Sequence, residues 1–385
     1  MVLDGIFSKK HDMAIIMTMM IIATCGSFMQ IVGTSWDVTS HIMQEPETFF
    51  TPSHAVLYAG VGLLTVAAGT SVILLISNNE LRGRSVATPL KLIIIGSTVC
   101  LVAGPSDFLW HETFGVDGLL SPPHLALITG MLINAVATVV GLVRIAVHIT
   151  SSSRQRLIKA AMVPAFAALW FTTTWYVYMF SLPFSDGENF QFNLNPNIAS
   201  LIAIITLPLL SSIIFLTASK SIGRFGAGTI VSALVVGINI FANIVPSQGM
   251  LISILPWYSI IAILPALIAD IILNNPAIKS KLGLRTSELI AGILVSSVFY
   301  IFNYPMLTWA FAIPLDMPIA NLQGMQAVTN LTSNFLSTLP VMLSITLVPA
   351  ALMGLLGALF VSKKITIPTF QNQQLRPSEF ILQEK

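Results

Sequence analysis

The chain has 385 residues, of which 55% are hydrophobic and 9% are charged, with a net charge of +2. Soluble domains carry roughly 25% charged residues, and a near-neutral chain offers nucleic acid no basic surface. The composition therefore excludes an ordinary soluble fold and a nucleic-acid partner, and it predicts a protein embedded in a lipid bilayer.

Membrane-spanning helices are predicted along the whole chain. A helix of ~20 apolar residues crosses a hydrocarbon core of ~30 Å, and lipid tolerates only backbone whose polar groups are satisfied internally. We therefore expect an all-α, polytopic transmembrane helical bundle. Ten runs meet the length criterion, at 13–33, 54–77, 88–108, 124–149, 157–180, 197–218, 226–246, 251–273, 286–305 and 334–361.

The basic residues predict the orientation of the chain, because Lys and Arg accumulate in cytoplasmic loops. With ten spans, all 18 Lys and Arg residues fall on one side, and the loops on the other side contain acidic residues and no basic ones. We therefore expect both termini in the cytoplasm and a multi-pass protein of the cell membrane.

The first four spans contain a repeat with a period of 70 residues. Four residues keep their offsets in both copies: Asp37, His41, His54 and Gly60 in copy one, and Asp107, His111, His124 and Gly130 in copy two. Such self-similarity indicates a true internal repeat. Both copies enter the membrane in the same sense, which predicts a pseudo-two-fold axis along the membrane normal.

This organisation predicts three parts of the chain. Residues 1–150 form a duplicated metal-motif membrane domain, with repeats at 13–77 and 83–149. Residues 151–361 form a membrane domain of six spans, and residues 362–385 form a cytoplasmic tail that is polar.

Each copy of the repeat offers one carboxylate and two imidazoles at the outer end of a helical hairpin. Asp37 and His41 are four residues apart and so share one face of a helix. His54 opens the following helix after a short loop, which brings it back beside them. Asp107, His111 and His124 repeat the arrangement. This ligand set suits a divalent transition metal, and imidazole alone does not select among zinc, copper, iron and nickel.

Two other interpretations of these residues stay open. Each aspartate can orient a histidine as an outer-shell acceptor instead of binding a metal itself. The same groups can also be buried polar side chains that satisfy one another. Ionisable residues within membrane spans are costly and are usually functional, which favours metal binding.

The copy-one motif resembles the metal motif in a membrane-embedded subunit of the particulate methane and ammonia monooxygenases, the copper membrane monooxygenases. The resemblance rests on Asp-x3-His-x12-His ending in Phe50-Thr51-Pro52-Ser53-His54. In copy two, Ser121-Pro122-Pro123-His124 stands at the end of the motif. The family's subunit is shorter and has one motif, whereas this chain has two.

The resemblance implies copper as the cofactor, and the ligand types leave zinc or iron as alternatives. It makes Asp37, His41 and His54 copper ligands, and their counterparts Asp107, His111 and His124 a second set. It also implies a copper-dependent oxidoreductase, or a subunit of one beside other membrane subunits, that oxidises a small-molecule substrate with dioxygen on the extracytoplasmic side.

Two alternatives to a monooxygenase-like enzyme are a protein of metal acquisition, transport or sensing, and a structural membrane subunit. A carrier needs polar groups that continue inward from the sites. The spans below the ligands are interpreted as nearly pure Ile, Val, Leu, Ala and Met, which argues against transport. The methionines of the first span, and Cys25 and Cys100, are interpreted as packing residues.

Overall fold

The structure is a computed structural model that describes residues 9–42, 48–83, 85–114, 120–149, 151–181, 196–245, 255–302 and 345–363. Side chains are described throughout these ranges except at 9–12, 41–42, 196–197, 199–200, 243 and 255–262. Within the described ranges the chain is helical and has no strand. The helices are α1 (Lys9–Ile42), α2 (Pro52–Ser77), α3 (Asn79–Arg82), α4 (Ala87–Phe114), α5 (Pro122–His148), α6 (Ser152–Ser181), α7 (Pro196–Ile222), α8 (Ala227–Ile244), α9 (Leu255–Asn274), α10 (Pro276–Leu282), α11 (Leu284–Phe302) and α12 (Ile345–Lys363).

Among the described residues, eight helices are long and apolar enough to cross a membrane: α1, α2, α4, α5, α6, α7, α11 and α12. The prediction of a multi-pass helical membrane protein is thereby confirmed. Helices α8 and α9 lie on the predicted seventh and eighth spans, but their described apolar stretches are shorter, at Ala227–Ala242 and Ile263–Asn274. The total of ten spans and the side on which the termini lie stay predictions.

Helix α1 occupies a central position, because it packs against α2, α5, α6 and α8. The outer surfaces of α2 and α4 are apolar. Val66 and Ile76 of α2 are 58% and 66% exposed, and Val102 and Leu109 of α4 are each 63% exposed. Large exposed apolar side chains on long helices are the surface that lipid covers.

Glycines let the two helices of each N-terminal hairpin approach closely. A Cβ atom added at Gly60 would lie 2.6 Å from the carbonyl oxygen of Gly26, and one added at Gly130 would lie 2.9 Å from the carbonyl oxygen of Gly96. Only hydrogen fits at such a crossing, which is a common way for membrane helices to pack. The contact recurs 70 residues later along the chain, so the two helices cross at corresponding positions in both hairpins.

The prediction that the spans are nearly pure apolar below the candidate ligands was wrong for α1. Four buried or half-buried polar residues, Thr24, Ser27, Gln30 and Thr34, follow one another at intervals of three or four residues. That interval places them on one helix face, and Asp37 continues it. Scattered single hydroxyls and one amide leave the average hydropathy of a span high, so the sequence pattern conceals the polar face.

Helix α8 contacts α1 beside the candidate ligand Asp37. Ser35 Oγ donates a hydrogen bond to Asn239 Oδ1 at 3.0 Å. Beside it, Trp36 meets Phe241 edge to face, with ring centroids 5.4 Å apart. Both contacts lie within two residues of Asp37 along α1, so α8 helps to fix the helix that carries this candidate ligand.

Asp270 joins its own helix, α9, to α7 and α8. Its carboxylate is fully buried and accepts hydrogen bonds from Ser219 Oγ of α7 at 2.5 Å and from the backbone amides of Gly228 and Thr229 at 3.1 and 2.8 Å. The Thr229 hydroxyl adds a fourth bond at 2.8 Å. An anionic acceptor at the first turn of α8 satisfies amides that have no partner within that helix.

Replacing Asp270 by alanine should therefore destabilise the protein. The change leaves two backbone amides and two hydroxyls without their acceptor, and each buried donor left unsatisfied costs about 1–3 kcal/mol. We expect a clear fall in the melting temperature of the protein in detergent, followed by circular dichroism. Thr229→Ser, which keeps the hydroxyl and the amide, is the control and should melt as the wild type does. Equal melting of Asp270→Ala and wild type would contradict this account.

Candidate metal centre

The clearest cluster of candidate ligands is Asp107, His111 and His124, which we call site two. One ligand atom from each residue lies within 4.8 Å of the other two. Asp107 Oδ1 is 3.2 Å from His124 Nε2 and 3.7 Å from His111 Nε2, and the two imidazole rings have centroids 5.5 Å apart. Asp107 itself is 8% exposed. The three predicted residues of copy two are therefore brought together.

Local structure places these three side chains at the meeting of two helix ends. Asp107 and His111 lie one turn apart near the end of α4, so their side chains share a face. His124 is in the first turn of α5, where Pro122 suits a position without an amide partner. Ser121 caps the helix, since its Oγ accepts a hydrogen bond from the backbone amide of His124 at 3.3 Å.

The spacing in site two is compatible with a bound metal ion. Bonds of about 2.0–2.1 Å to nitrogen and oxygen place neighbouring ligands of a tetrahedral ion about 3.3 Å apart. The separations of 3.2 and 3.7 Å from Asp107 Oδ1 to the imidazole nitrogens lie near that value. Yet this buried oxygen accepts no hydrogen bond of good geometry from the described residues. A cation placed between Asp107 Oδ1 and the two imidazole nitrogens would be coordinated by all three atoms.

The corresponding residues of copy one, which we call site one, are only partly described. His54 Nε2 lies 3.0 Å from Asp37 Oδ1, and Ser53 Oγ donates a hydrogen bond to the same oxygen at 2.9 Å. His41 is in the last turn of α1, but its side chain lies outside the described residues. Two of the three predicted ligands of copy one are thus adjacent.

The His54 ring is oriented by a backbone carbonyl. Its Nδ1 lies 3.0 Å from the carbonyl oxygen of Thr48, which can only accept a hydrogen bond, so Nδ1 carries the proton. In a neutral ring the lone pair is then on Nε2 and faces the Asp37 carboxylate. Two acceptors at 3.0 Å need a cation between them, either a proton or a metal. A backbone carbonyl on the far ring nitrogen is the usual support of a metal-binding histidine.

Ser53 and Thr48 are site residues that the sequence interpretation missed as functional groups. Ser53 was visible within the Phe-Thr-Pro-Ser-His motif, but only as part of the pattern. Thr48 contributes its backbone, and no sequence signal marks which carbonyl a loop will direct at a ring. Copy two differs here, because the position that corresponds to Ser53 is Pro123, which has no donor.

We predict that Ser53→Ala weakens metal binding at site one by about 10–100-fold, the effect of removing an outer-shell partner. The reverse change, Pro123→Ser, offers Asp107 a donor and should strengthen binding at site two. Both affinities can be measured by titration against a chelator of known strength. Ser106→Ala is the control, since the exposed Ser106 bonds only within its own helix. Unchanged affinity in Ser53→Ala would show that this hydrogen bond does not support a metal ligand.

No model of a known protein family matches the chain, and neither does any curated protein or solved structure.

Proposed function

We propose that this chain is an integral membrane protein that binds a transition-metal ion at site two and a second ion at site one. The observation that carries the proposal is the convergence of Asp107, His111 and His124, whose ligand atoms lie within 4.8 Å of one another. A carboxylate and two imidazoles are a ligand set for a divalent transition metal with room for an exogenous ligand.

We propose copper as the metal. The support is the likeness of the copy-one motif to the copper-binding motif of the particulate methane and ammonia monooxygenases, and imidazole is a suitable copper ligand. Zinc and iron are the alternatives that the same ligands accept. The extracytoplasmic position of both sites and cytoplasmic termini belong to the same proposal, supported by the distribution of Lys and Arg.

We also infer that the two hairpins are an internal repeat. The support is that Gly26 meets Gly60 as Gly96 meets Gly130, and that Asp37 meets His54 as Asp107 meets His124. Each pair of contacts is separated by the same 70 residues.

The activity that we propose for the metal sites is oxidation of a small substrate with dioxygen, by this chain alone or as part of a membrane complex. The resemblance of the motif supports it. A second candidate is metal acquisition or transport, and the polar face of α1 favours it. That face extends from Asp37 to Thr24, about 20 Å along the helix, where a carrier needs polar groups.

Elemental analysis of gently purified protein tests the central claim. We expect at least two copper ions per chain in the wild type and a loss of two in the double variant His41→Ala/His111→Ala. Oxygen consumption by the copper-loaded protein with small substrates then separates the enzyme from the carrier, which should instead move copper into proteoliposomes. Wild-type protein that neither contains nor takes up a transition metal would end the proposal.

A further inference from the structure

A second group of buried polar side chains lies between α1 and the α4–α5 hairpin, away from both Asp-His-His sites. Gln30 Nε2 donates a hydrogen bond to Cys100 Sγ at 3.5 Å, and Asn134 Nδ2 donates to the same sulfur at 3.9 Å. Gln30 and Asn134 are fully buried, and Cys100 is 1% exposed. Two helices, α1 and α5, thus direct polar groups at one thiol of α4.

This cluster contains acceptors that no described residue satisfies. Gln30 Oε1, Asn134 Oδ1 and the hydroxyl of Ser27 are all buried without a hydrogen-bond partner among the described residues. In the hydrocarbon region a polar group left in this state costs several kcal/mol. The amides can also exchange their oxygen and nitrogen by a half-turn of the terminal bond, which would direct two oxygens towards the sulfur.

A further sulfur lies close to Cys100. A Cβ atom on Gly130 would lie 2.6 Å from Cys100 Sγ, so Cys100 touches α5 beside Met131. Met131 is 1% exposed, and its Sδ accepts a hydrogen bond from Thr34 Oγ1 at 3.6 Å. Thr34 lies one turn from Gln30 along α1, so the two sulfurs contact successive turns of the same helix.

The two sulfur atoms of the cluster determine which class of metal ion it would favour. A thiolate and a thioether are soft ligands and favour a monovalent soft metal such as Cu(I). The cluster contains no carboxylate among its described residues, so one thiolate and one monovalent cation leave it electrically neutral, as a site within lipid requires. Burial in apolar surroundings disfavours a free thiolate, and a cation bound to the sulfur would offset that cost.

We propose that Cys100, with Gln30, Asn134 and Met131 around it, is a separate binding site for a monovalent soft metal ion. Binding replaces the thiol proton, which leaves to solvent, with a metal–sulfur bond and changes no oxidation state. Cys100 and Met131 lie seven residues from Asp107 and His124 along their helices, about 10 Å below site two. Copy two alone can form this site, because copy one has Gln30 and Val61 at the matching positions.

Silver(I) tests the proposal, since it is soft, monovalent and redox-inert. The full-length protein is titrated with Ag(I) in excess free imidazole, which competes for histidine sites but not for a thiolate. We expect one tight site with sulfur in the first coordination shell by X-ray absorption, and about a tenfold or greater loss of affinity in Cys100→Ser. Cys25→Ser is the matched control, because Cys25 is the other free cysteine and is exposed.

Two further variants keep the result interpretable. Asn134→Leu removes an amide but leaves both sulfurs, and should weaken Ag(I) binding even if Cys100→Ser folds poorly by circular dichroism. The double variant His41→Ala/His111→Ala removes Asp-His-His ligands and should retain the Ag(I) site, which separates this proposal from the proposed function. Wild-type Ag(I) affinity in a folded Cys100→Ser protein, or equal loss in Cys25→Ser, would overturn it.

Discussion

His124→Ala should lose the metal ion of site two while keeping that of site one. The change removes one of three ligands and leaves the carboxylate of Asp107 with a single imidazole. Loss of an outer-shell partner costs about 10–100-fold in affinity, and loss of a direct ligand should exceed that range. The measurement is metal content after dialysis against a weak chelator, which should fall by about one ion per chain.

The control for this change is available on the same helix. His148 lies in the last turn of α5, at the opposite end from His124, and it is exposed. His148→Ala should therefore leave the metal content unchanged. The isosteric change Asp107→Asn keeps the volume of the side chain but removes its charge, so it should also release the ion. A His124→Ala protein that retains its full metal content would show that the cluster is only a set of polar contacts.

Gly60→Ala should destabilise the N-terminal hairpin and disturb site one together with it. A methyl group at this position would lie 2.6 Å from the carbonyl oxygen of Gly26 and 2.8 Å from the backbone nitrogen of Gln30. Both atoms belong to the backbone of α1, so the helices must separate. Overpacking of this kind typically costs about 1–3 kcal/mol. Because α1 carries Asp37 and α2 carries His54, the contact between these ligands should weaken as well.

Gly62→Ala is the matched control for the crossing. A Cβ atom on Gly62 would meet nothing within 4 Å, and alanine in a helix interior is favoured over glycine by about 0.5–1 kcal/mol. Gly62→Ala should thus melt at or slightly above the wild-type temperature, and Gly60→Ala well below it. Melting in detergent and metal content measured on the same samples test both effects. If Gly60→Ala and Gly62→Ala melted at similar temperatures, the close helix crossing at Gly60 would not determine the stability of the hairpin.

The membrane class and the position of site two could be predicted from the sequence because they depend on local rules. Asp107 and His111 lie four residues apart within one helix, so helical geometry alone places them together. His124 needs only the further condition that consecutive spans form a hairpin. Site residues that depend on loop backbone, such as the Thr48 carbonyl beside His54, follow no such rule and were found only in the structure.

Contacts between distant helices were the part that the sequence could not predict. Gln30 and Cys100 are each single polar or sulfur-containing residues within apolar runs, and each is compatible with ordinary packing when taken alone. Their significance arises because both reach the same point between helices, together with Asn134. The order in which helices pack depends on the summed complementarity of many surfaces, and no local pattern encodes it. The α8 contact beside Asp37, made by Asn239, has the same origin.

The contact between Gln30 and Cys100 bears on how such a chain could arise. Positions 30 and 100 correspond in the repeat that we propose, and they touch each other, which is what a two-fold axis imposes on a residue lying near it. In a homodimer of separate one-hairpin chains, that residue would meet its own copy, and both sides would have to be the same amino acid. Fusion of the two hairpins into one polypeptide lifts this restriction, so an amide on one side can face a thiol on the other.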